Sequence, residues 1–288
     1  MNIRLGSNAY GKSAVNLSKI IRHADRHEFR QVTVNTILEG DFETTHTEGD
    51  NRNVLPTDTQ KNTVYALAKD HFTSSIEDFG LYLTNHFISH NPQLTKATIE
   101  ISEYCWTRIS NDGISHPHAF INGGGEKHST KIERTISQSH VISGIRDLLI
   151  LKTTDSAFKG YPKDQFTTLR ESDDRILSTQ CEIHWEYLST DLDFTSLYTM
   201  IRASLLKTFA EHKSLSVQHT LYAMGETVLK QFDVVKEITL HMPNKHHIPM
   251  NLEPFGLENS NDIFIATDEP YGYITGTVTR NSKRRGHN

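Results

Sequence analysis

The sequence has little of what marks several large classes of protein. It contains only two cysteines, Cys105 and Cys181, which do not have the spacing of a metal site, and such sparse usage is typical of a reducing compartment. No apolar run approaches the length of a membrane span, and the N-terminus lacks the charged-then-apolar order of a signal peptide. The net charge of −5 is modest and gives no sign of a nucleic-acid or membrane surface. We therefore expect a cytoplasmic protein without nucleic-acid or membrane partners.

The composition is instead that of a globular protein with a substantial core. Of the 288 residues, 36% are hydrophobic, 23% charged and 9% aromatic, which excludes a disordered chain. The length allows one large domain or two of ordinary size. The short basic tail Lys283-Arg284-Arg285 is interpreted as a solvated chain end.

Hydrophobic periodicity predicts strands followed by helices near the start of the chain. Residues 14–22 and 29–46 are predicted to be extended, and the second stretch alternates at 32, 34, 36 and 38. A helix is predicted after Pro56, with Thr57 or Asp58 as its cap. A second helix follows the capping box Ser74-Ser75-Ile76-Glu77.

The same order of elements recurs along the chain. Strands are predicted over 94–109 and 116–137, and the second is interrupted by Gly123-Gly124-Gly125, interpreted as a hairpin turn or flexible loop. From about Val141 the predicted order of strands, two helices and strands begins again. Its segments are 148–153, 181–187, a helix over 194–209, a helix from Ser216, and strands over 237–242, 263–267 and 273–280.

This repeated order predicts an α+β fold made of two similar halves, each an antiparallel sheet with a helix pair on one face. We place the halves at 1–140 and 141–288, with the joint between Ser137 and Ile145. Closing the sheets into a barrel between subunits would remove their exposed edges, so we expect an oligomer.

A polar run with hydroxyls, one acid and two amides stands at the first helix start, from Thr57 to Asn62. A helix N-terminus offers unpaired N–H groups and the positive end of a dipole, so side chains there can help to receive an anion. The structural alternative is a well-capped helix, because Thr and Asp are ordinary caps. Lys12, beside Gly11 just before the first predicted strand, is by itself most simply a surface lysine.

The second half offers four comparable stretches, each with two interpretations. Phe158 lies in a predicted loop as either a lid over the core or a stacking platform, and Arg175, beside two acids, is either a salt-bridge partner or a planar fork for an anion. The Val217 amide and the Gln218 side chain open a helix and could hydrogen-bond a flat polar ligand. The fourth stretch is either a polar turn or an extended segment with Asn244 and His246 on one side.

Two common kinds of catalytic site find little support. His116-Pro117-His118 has the spacing of two metal ligands on one strand face, but no Cys cluster, His-Glu-x-x-His motif or spaced carboxylate accompanies it. A Ser-His-Asp site would need an elbow such as Gly-x-Ser-x-Gly, which the sequence lacks. We therefore predict no metal site.

Six collinear stretches resemble the urate oxidase (uricase) family, and together they span nearly the whole chain. They are Tyr10-Gly11-Lys12, Thr57-Asp58-Thr59-Gln60-Lys61-Asn62-Thr63-Val64-Tyr65, His116-Pro117-His118-Ala119-Phe120, Asp174-Arg175-Ile176-Leu177-Ser178-Thr179, Ser216-Val217-Gln218 and Pro243-Asn244-Lys245-His246. The resemblance implies tandem T-fold halves assembled as a homotetramer around a tunnel, with active sites at subunit interfaces. It also implies the oxidation of urate by O2 and water to 5-hydroxyisourate and hydrogen peroxide, without a cofactor.

The family pattern assigns a role to each matched residue. Arg175 and Gln218 would clamp the purine edge, Phe158 would stack on its face, and the Val217 amide would help to hold the ring. Thr57, with Asp58, would come from the neighbouring subunit. The proton relay would consist of Lys12, Thr57 and His246, with Asn244 facing the oxygen or water position.

The chain departs from many family members at Pro56, Tyr161 and Met242, where Ala, Phe and Leu are usual, and its C-terminus lacks a peroxisomal Ser-Lys-Leu. None of these positions has an assigned role. Two alternatives remain: another T-fold enzyme acting on pterins, which would be expected to use a Glu anchor and often a metal, and a non-catalytic purine-binding protein. The second would not need Lys12, Thr57 and His246.

Overall fold

The structure is a computed structural model that describes residues 3–280. Within that range the chain forms ten strands and five α-helices. The strands are β1 (Tyr10–Arg22), β2 (His27–Gly40), β3 (Leu94–Asn111), β4 (Ile114–Thr135), β5 (Ser139–Lys152), β6 (Leu177–Tyr187), β7 (Val235–His241), β8 (Asn244–Pro249), β9 (Phe264–Gly272) and β10 (Thr275–Thr279). The helices are α1 (Glu43–Thr47), α2 (Thr57–His71), α3 (Ile76–His90), α4 (Phe194–Glu211) and α5 (Val217–Gln231).

The described residues form two compact units. The first comprises 3–144 with Glu186–Tyr198, and the second comprises Ile145–Trp185 with 199–280. The division into T-fold halves at residue 140 stays a prediction. The tail Lys283-Arg284-Arg285 lies outside the described residues. None of the helices found between residues 3 and 280 is long and apolar enough to cross a membrane.

In the first unit, helices cover one face of an antiparallel sheet. β1 pairs with β2, β2 with β3, and β3 with β4, while α2 packs on β1 and α3 packs on β3 and β4. Val32, Val34, Thr36 and Leu38 are all fully buried, because alternate side chains of a strand point to the same face. The predicted alternation and the predicted helix pair are confirmed.

In the second unit, α5 packs on β7 and β10, which pair antiparallel to each other. A Cβ atom at Gly225 would lie 2.6 Å from a methyl group of Val278, so glycine lets α5 approach β10 closely. β8 pairs with both β6 and β9. The long helix predicted over 194–209 and the helix predicted from Ser216 are confirmed.

The second strand ends earlier than predicted. β2 stops at Gly40 and the chain then forms α1, so the predicted extended stretch 29–46 is too long. A Cβ atom at Gly40 would lie 2.3 Å from the carbonyl oxygen of Gln93, and the next residue, Asp41, donates its N–H to that oxygen. The chain leaves the sheet here because Phe42 turns into the core, where it is 1% exposed.

The triple glycine lies within a strand and forms no hairpin turn. β4 runs through Gly123-Gly124-Gly125, where its register against β3 shifts. The turn between β3 and β4 is instead Asp112-Gly113, whose φ angles are 50° and 79°, and positive φ at both central residues favours Asp-Gly in a tight hairpin. The glycines form part of a bulge in a long strand, and the prediction of a turn there is wrong.

The N-terminus of α3 holds a buried carboxylate. The capping box uses Ser75 and Asp78, one residue later than predicted, because Glu77 points into the interior and is 0% exposed. Glu77 Oε1 accepts from His128 Nε2 at 2.8 Å and from the Ser143 hydroxyl. Burial alone would raise the pKa of Glu77, but the His128 ring and the Ser143 hydroxyl outweigh it and hold the pKa below the ordinary value.

Replacing Glu77 by Ala should cost about 3–5 kcal/mol of unfolding free energy, as expected when one partner of a buried pair is removed. Glu77→Gln keeps an acceptor oxygen and should cost less. A depressed carboxyl pKa contributes stability above the unfolded-state value and loses it as the pH falls. The difference between wild type and Glu77→Gln should therefore shrink below pH 4.5. Denaturant unfolding at equal protein concentration measures both, and equal stability of wild type and Glu77→Ala would contradict the account.

Candidate active site

Gly11 permits an unusually close approach of β1 to β2 next to Lys12. A Cβ atom at Gly11 would lie 1.7 Å from the carbonyl oxygen of Thr36, so only glycine fits. The register shifts just after Lys12, where Ala14 has a φ of 56°, and such a bulge re-aims side chains. Pairing already begins at Tyr10. The prediction that Lys12 precedes the first strand is therefore wrong.

Two buried polar side chains connect the backbone of Lys12 to α2. Lys12 donates its N–H to Thr36 Oγ1 at 3.1 Å, and the Thr36 hydroxyl donates to Gln60 Oε1 at 2.6 Å. Gln60 in turn donates from Nε2 to the carbonyl oxygen of Leu55 at 3.2 Å. Thr36 and Gln60 are both 0% exposed. This chain of hydrogen bonds holds Lys12 beside the segment from which Thr57 begins α2.

Thr57 is the first residue of α2 and caps nothing. The residue before it, Pro56, holds the cap position without a side-chain hydrogen bond, so the prediction that Thr57 or Asp58 caps the helix is wrong. Pro56 has no polar side chain, and its φ of −52° suits the approach to a helix. Within residues 3–280 the Thr57 hydroxyl makes no hydrogen bond to the protein. Thr57 is half-buried at the helix start, and its hydroxyl is left available to a ligand.

Asp58 is engaged by neighbours on its own helix. Its carboxylate accepts from Lys61 and from Asn62. The hydrogen bond from Lys61 and the charge of that residue hold the pKa of Asp58 below its ordinary value, and the charge of Lys12 adds to the effect. Lys12 is therefore close enough to Asp58 for their charges to interact.

In the second unit, Phe158 and Arg175 lie side by side. Phe158 exchanges two backbone hydrogen bonds with Ser172, at 2.8 and 3.1 Å, which brings the loop of Phe158 against the segment leading to Arg175. The guanidinium carbon of Arg175 lies 5.0 Å from the centre of the Phe158 ring. Tyr161 also stacks on Phe158, with ring centres 4.9 Å apart, and its hydroxyl donates to Leu169 at 2.7 Å. Phe158 is half-buried between these groups.

Arg175 is not engaged in the salt bridge that its neighbours suggested. Asp173 pairs with Lys159, and Asp174 accepts from Thr154 Oγ1 at 2.8 Å. Among the described residues, Arg175 forms no ion pair, and its Nε atom is buried without a hydrogen-bond partner. Burial lowers the pKa of Arg175 from its ordinary value, although a guanidinium stays charged. A buried, unpaired donor at the side of an aromatic ring is suited to a planar anion.

The N-terminus of α5 presents two backbone donors. Ser216 caps the helix through its hydroxyl, which accepts from the His219 N–H at 3.1 Å. The N–H groups of Val217 and Gln218 precede the first intrahelical bond and have no partner within residues 3–280. Val217 is buried, whereas the Gln218 side chain is exposed and makes no hydrogen bond to the described part of the chain. The Val217 N–H and the Gln218 side chain are thus available to hydrogen-bond a flat polar ligand, as the sequence suggested.

Asn244 and His246 lie on one side of β8, as predicted for an extended segment. Asn244 Nδ2 and His246 Nδ1 are 3.3 Å apart. Asn244 pairs with Thr179 of β6, the strand that begins two residues after Arg175. β8 was not predicted as a strand, because its six residues contain no apolar alternation. The interpretation of this stretch as a polar turn is wrong.

A cavity of about 660 Å³ joins several of these groups. Its walls include Phe158, Arg175 and His246. Four charged residues line it, and the two acids, Glu171 and Asp174, are each hydrogen-bonded to other groups of the chain. Arg170 and Arg175 form no ion pair within the described range. The two carboxylates keep their charge, and the two guanidinium groups are the groups of this lining that can pair with an anionic ligand.

The predicted site residues thus fall into two groups. Lys12, Thr57 and Asp58 lie together in the first unit. Six lie in the second unit: Phe158, Arg175, Val217, Gln218, Asn244 and His246. The supporting pair Thr36 and Gln60 was missed. A polar Thr36 on the otherwise apolar face of β2 is the signal that could have revealed it.

The histidines tested for a metal site do not form one. The rings of His116 and His118 are 4.6 Å apart, centre to centre. Between residues 3 and 280, no group of three or more His, Cys, Asp or Glu side chains is arranged to hold a metal ion. The predominantly antiparallel sheets, the helix pairs and the cavity beside Arg175 define an α+β protein of the T-fold class with a candidate pocket for a planar anion.

Comparison with known proteins identifies the family. The chain matches the model of the family described as Uricase over residues 8–133 and 141–275. It is 42% identical to the uricase of Arthrobacter globiformis over 283 residues, covering 98% of this chain and 92% of that protein. It is 36% identical to the uricase of Oryctolagus cuniculus, covering 96% of this chain and 94% of that protein. The chain therefore belongs to the uricase family, and the resemblance inferred from the six stretches is confirmed.

Solved structures support the same fold. A crystal structure of the Arthrobacter globiformis uricase has a TM-score of 0.94 to this chain and covers 100% of it, with 98% of that structure matched. A crystal structure of Bacillus sp. TB-90 urate oxidase is 22% identical with a TM-score of 0.85, covering 95% of this chain and 100% of that one, which is a likeness of fold. The predicted α+β T-fold class and the prediction of a cofactor-independent oxidoreductase are confirmed.

Proposed function

We propose that this chain oxidises urate with molecular oxygen and water to 5-hydroxyisourate and hydrogen peroxide. The reaction is balanced: urate gives up two electrons, oxygen is reduced to peroxide, and water supplies the hydroxyl group of the product. Membership of the uricase family supports the substrate. The single structural observation that carries the proposal is the position of Arg175 beside the ring of Phe158, with its buried Nε atom unpartnered among residues 3–280.

The substrate-binding roles follow from the chemistry of urate. Urate is planar and anionic, with alternating donors and acceptors along its edges, so a guanidinium fork, an amide and an aromatic face suit it. Arg175 would donate to one edge and the Gln218 side chain would bond the opposite edge. Phe158 would stack on the ring, and the free N–H of Val217 would hold it in plane.

The chemical step needs a proton acceptor and a place for oxygen. An electron-rich urate dianion can itself reduce oxygen, so the protein need only remove a proton, hold the anion and position water. The Thr57 hydroxyl is a poor base alone and would pass its proton to Lys12, and His246 would complete the relay. Asn244, next to His246 in β8, would face the oxygen or water.

We further propose that the enzyme is a cytoplasmic homotetramer with barrel-like sheets around a tunnel and active sites at subunit interfaces. Thr57 and Asp58 would then serve a neighbouring subunit's site. Lys12 would accompany them, because the hydrogen bonds through Thr36 and Gln60 hold it beside the start of α2. The native mass should be about that of four subunits.

Mixing two inactive variants tests this shared site. In the proposed site Thr57 comes from one subunit and Arg175 from its neighbour. A randomly mixed assembly of Thr57→Ala and Arg175→Ala subunits should therefore have both residues intact in about a quarter of its sites and recover up to about a quarter of wild-type activity. Thr57→Ala mixed with Lys12→Met is the control. Both residues would be supplied by the same subunit to a shared site, so every site of the mixture lacks one of them and no rescue is expected. Absence of rescue in the first mixture, with exchange of subunits demonstrated, would contradict a shared site.

The reaction itself is tested by mixing the purified protein with urate and oxygen. Urate absorbance should fall while hydrogen peroxide is produced in a one-to-one ratio. Binding of urate without turnover would favour a non-catalytic purine-binding protein. Turnover of a pterin with no effect on urate would favour the other T-fold alternative.

A further inference from the structure

Asp174 lies beside Arg175 but directs its carboxylate to a different loop. Its Oδ2 accepts from the Thr154 hydroxyl at 2.8 Å, and its Oδ1 accepts from the Ser156 N–H at 3.3 Å. These two donors flank Asp155, which has a φ of 56°. A non-glycine residue in that region of the backbone persists only where its surroundings hold it. One carboxylate therefore holds the loop on both sides of a strained residue.

The loop held by Asp174 is continuous with two parts of the proposed site. Phe158 follows Ser156 by two residues and pairs with Ser172. On the other side, Ala157 donates its N–H to Ser214 at 2.8 Å, and Ser214 donates to Asp155 at 2.9 Å. Ser214 precedes the N-terminus of α5 by three residues, so Phe158 and the donors of α5 share one support.

We propose that Asp174 is a positioning residue, which sets Phe158 and the start of α5 against Arg175. This inference rests on the proposed function of the site. Asp174 borders the cavity, but its carboxylate is bonded to the loop, and in this account it acts through the segment of Thr154 to Phe158. Because its carboxylate is occupied by the loop, it also leaves the guanidinium of Arg175 unpaired for the ligand.

The neighbouring Asp173 provides a matched control. Its exposed carboxylate pairs with Lys159 alone among residues 3–280, so Asp173→Ala removes one negative charge next to Asp174 in the sequence without removing a bond to the loop at Asp155. Asp174→Ala should raise KM for urate and the Kd of a non-oxidisable analogue such as 8-azaxanthine by roughly tenfold to a hundredfold, as expected for groups displaced by about 1 Å. kcat should fall less than KM rises. Asp173→Ala should change each constant less than about twofold.

Conservative variants keep the test decisive if Asp174→Ala folds poorly. Asp174→Asn retains an acceptor oxygen and should give a smaller loss than Ala. Thr154→Val removes the shorter of the two bonds and leaves Asp174 in place, and it should raise KM in the same direction. A purely structural role would lower the melting temperature of these variants while analogue affinity stayed at the wild-type value.

A double-mutant comparison with Phe158→Ala identifies the route of the effect. Because Asp174 acts largely through Phe158, the two losses of analogue affinity should not add. Full additivity, or equal KM values for the Asp174→Ala and Asp173→Ala proteins, would overturn the proposal. Failure of the proposed function is distinct from either result, since the wild-type protein would then neither bind the analogue nor consume urate.

Discussion

Replacing Lys12 by Met should lower kcat by roughly a hundredfold to ten-thousandfold, the range usual for positioned acid–base groups. Thr57→Ala should produce a loss of similar size. The double mutant should be scarcely slower than either single mutant, because a hydroxyl and the amine that takes its proton act as a unit. Steady-state kinetics of the three variants measure this directly, and multiplicative losses would mean that the relay is wrongly drawn.

Binding separates this proton transfer from a collapse of the site. Neither change removes a group that we assign to holding the purine in the second unit, so the Kd of an analogue should change little. Lys131→Met offers a control, because Lys131 is a surface lysine of the same unit whose ion pair is with Glu133. It should keep wild-type kcat. Loss of analogue binding in Lys12→Met would show that Lys12 holds structure or ligand instead of moving a proton.

Replacing Arg175 by Lys should weaken binding of an analogue by roughly tenfold to a hundredfold. A hydrogen bond to a charged group contributes about 1.5–3 kcal/mol, and about 1.4 kcal/mol is tenfold in affinity. Lysine keeps the charge but cannot form two parallel bonds to one edge of the ligand. Arg175→Ala should lose at least as much affinity.

The same substitution at Arg170 is the control for the planar fork. Arg170 lines the same cavity, is exposed and has no hydrogen-bond or ion-pair partner in the described part of the chain, so Arg170→Lys keeps the charge of the cavity and should leave affinity within about twofold. Calorimetric titration measures affinity, and thermal melting of the same proteins measures stability. Unchanged affinity with a lowered melting point for Arg175→Lys would remove Arg175 from the site.

Local patterns predicted much of the fold, and long-range pairing explains most of the errors. The helix from Ser216 could be predicted because its cap and its apolar face lie within one stretch of sequence. The path of β4 through Gly123-Gly124-Gly125 could not, since it depends on β3 accepting a bulge opposite the glycines. In the same way, β8 exists because β6 and β9 pair with it, and its own sequence carries no strand signal.

The candidate site was reached more through resemblance than through physical pattern. Taken alone, Lys12 and Arg175 are ordinary charged residues, and only the structure shows that the acids beside Arg175 bond elsewhere. The contacts that hold the site residues in place could not be predicted from the sequence for a further reason. The contact of Thr36 with Gln60, and the hold of Asp174 on the loop before Phe158, join residues far apart in sequence, and periodicity carries no information about such pairs.

The buried Glu77 of α3 occupies the same position in its helix as Gln218 does in α5. Both helices have 15 residues, and both begin with a serine cap followed by an apolar residue and then by Glu77 or Gln218. In α3 the Glu77 side chain is buried, and its Oε1 accepts from His128 and Ser143, whereas in α5 the Gln218 side chain is exposed. The start of α3 is therefore committed to core packing, whereas the start of α5 stays accessible, so we expect each chain to bind one ligand, at α5.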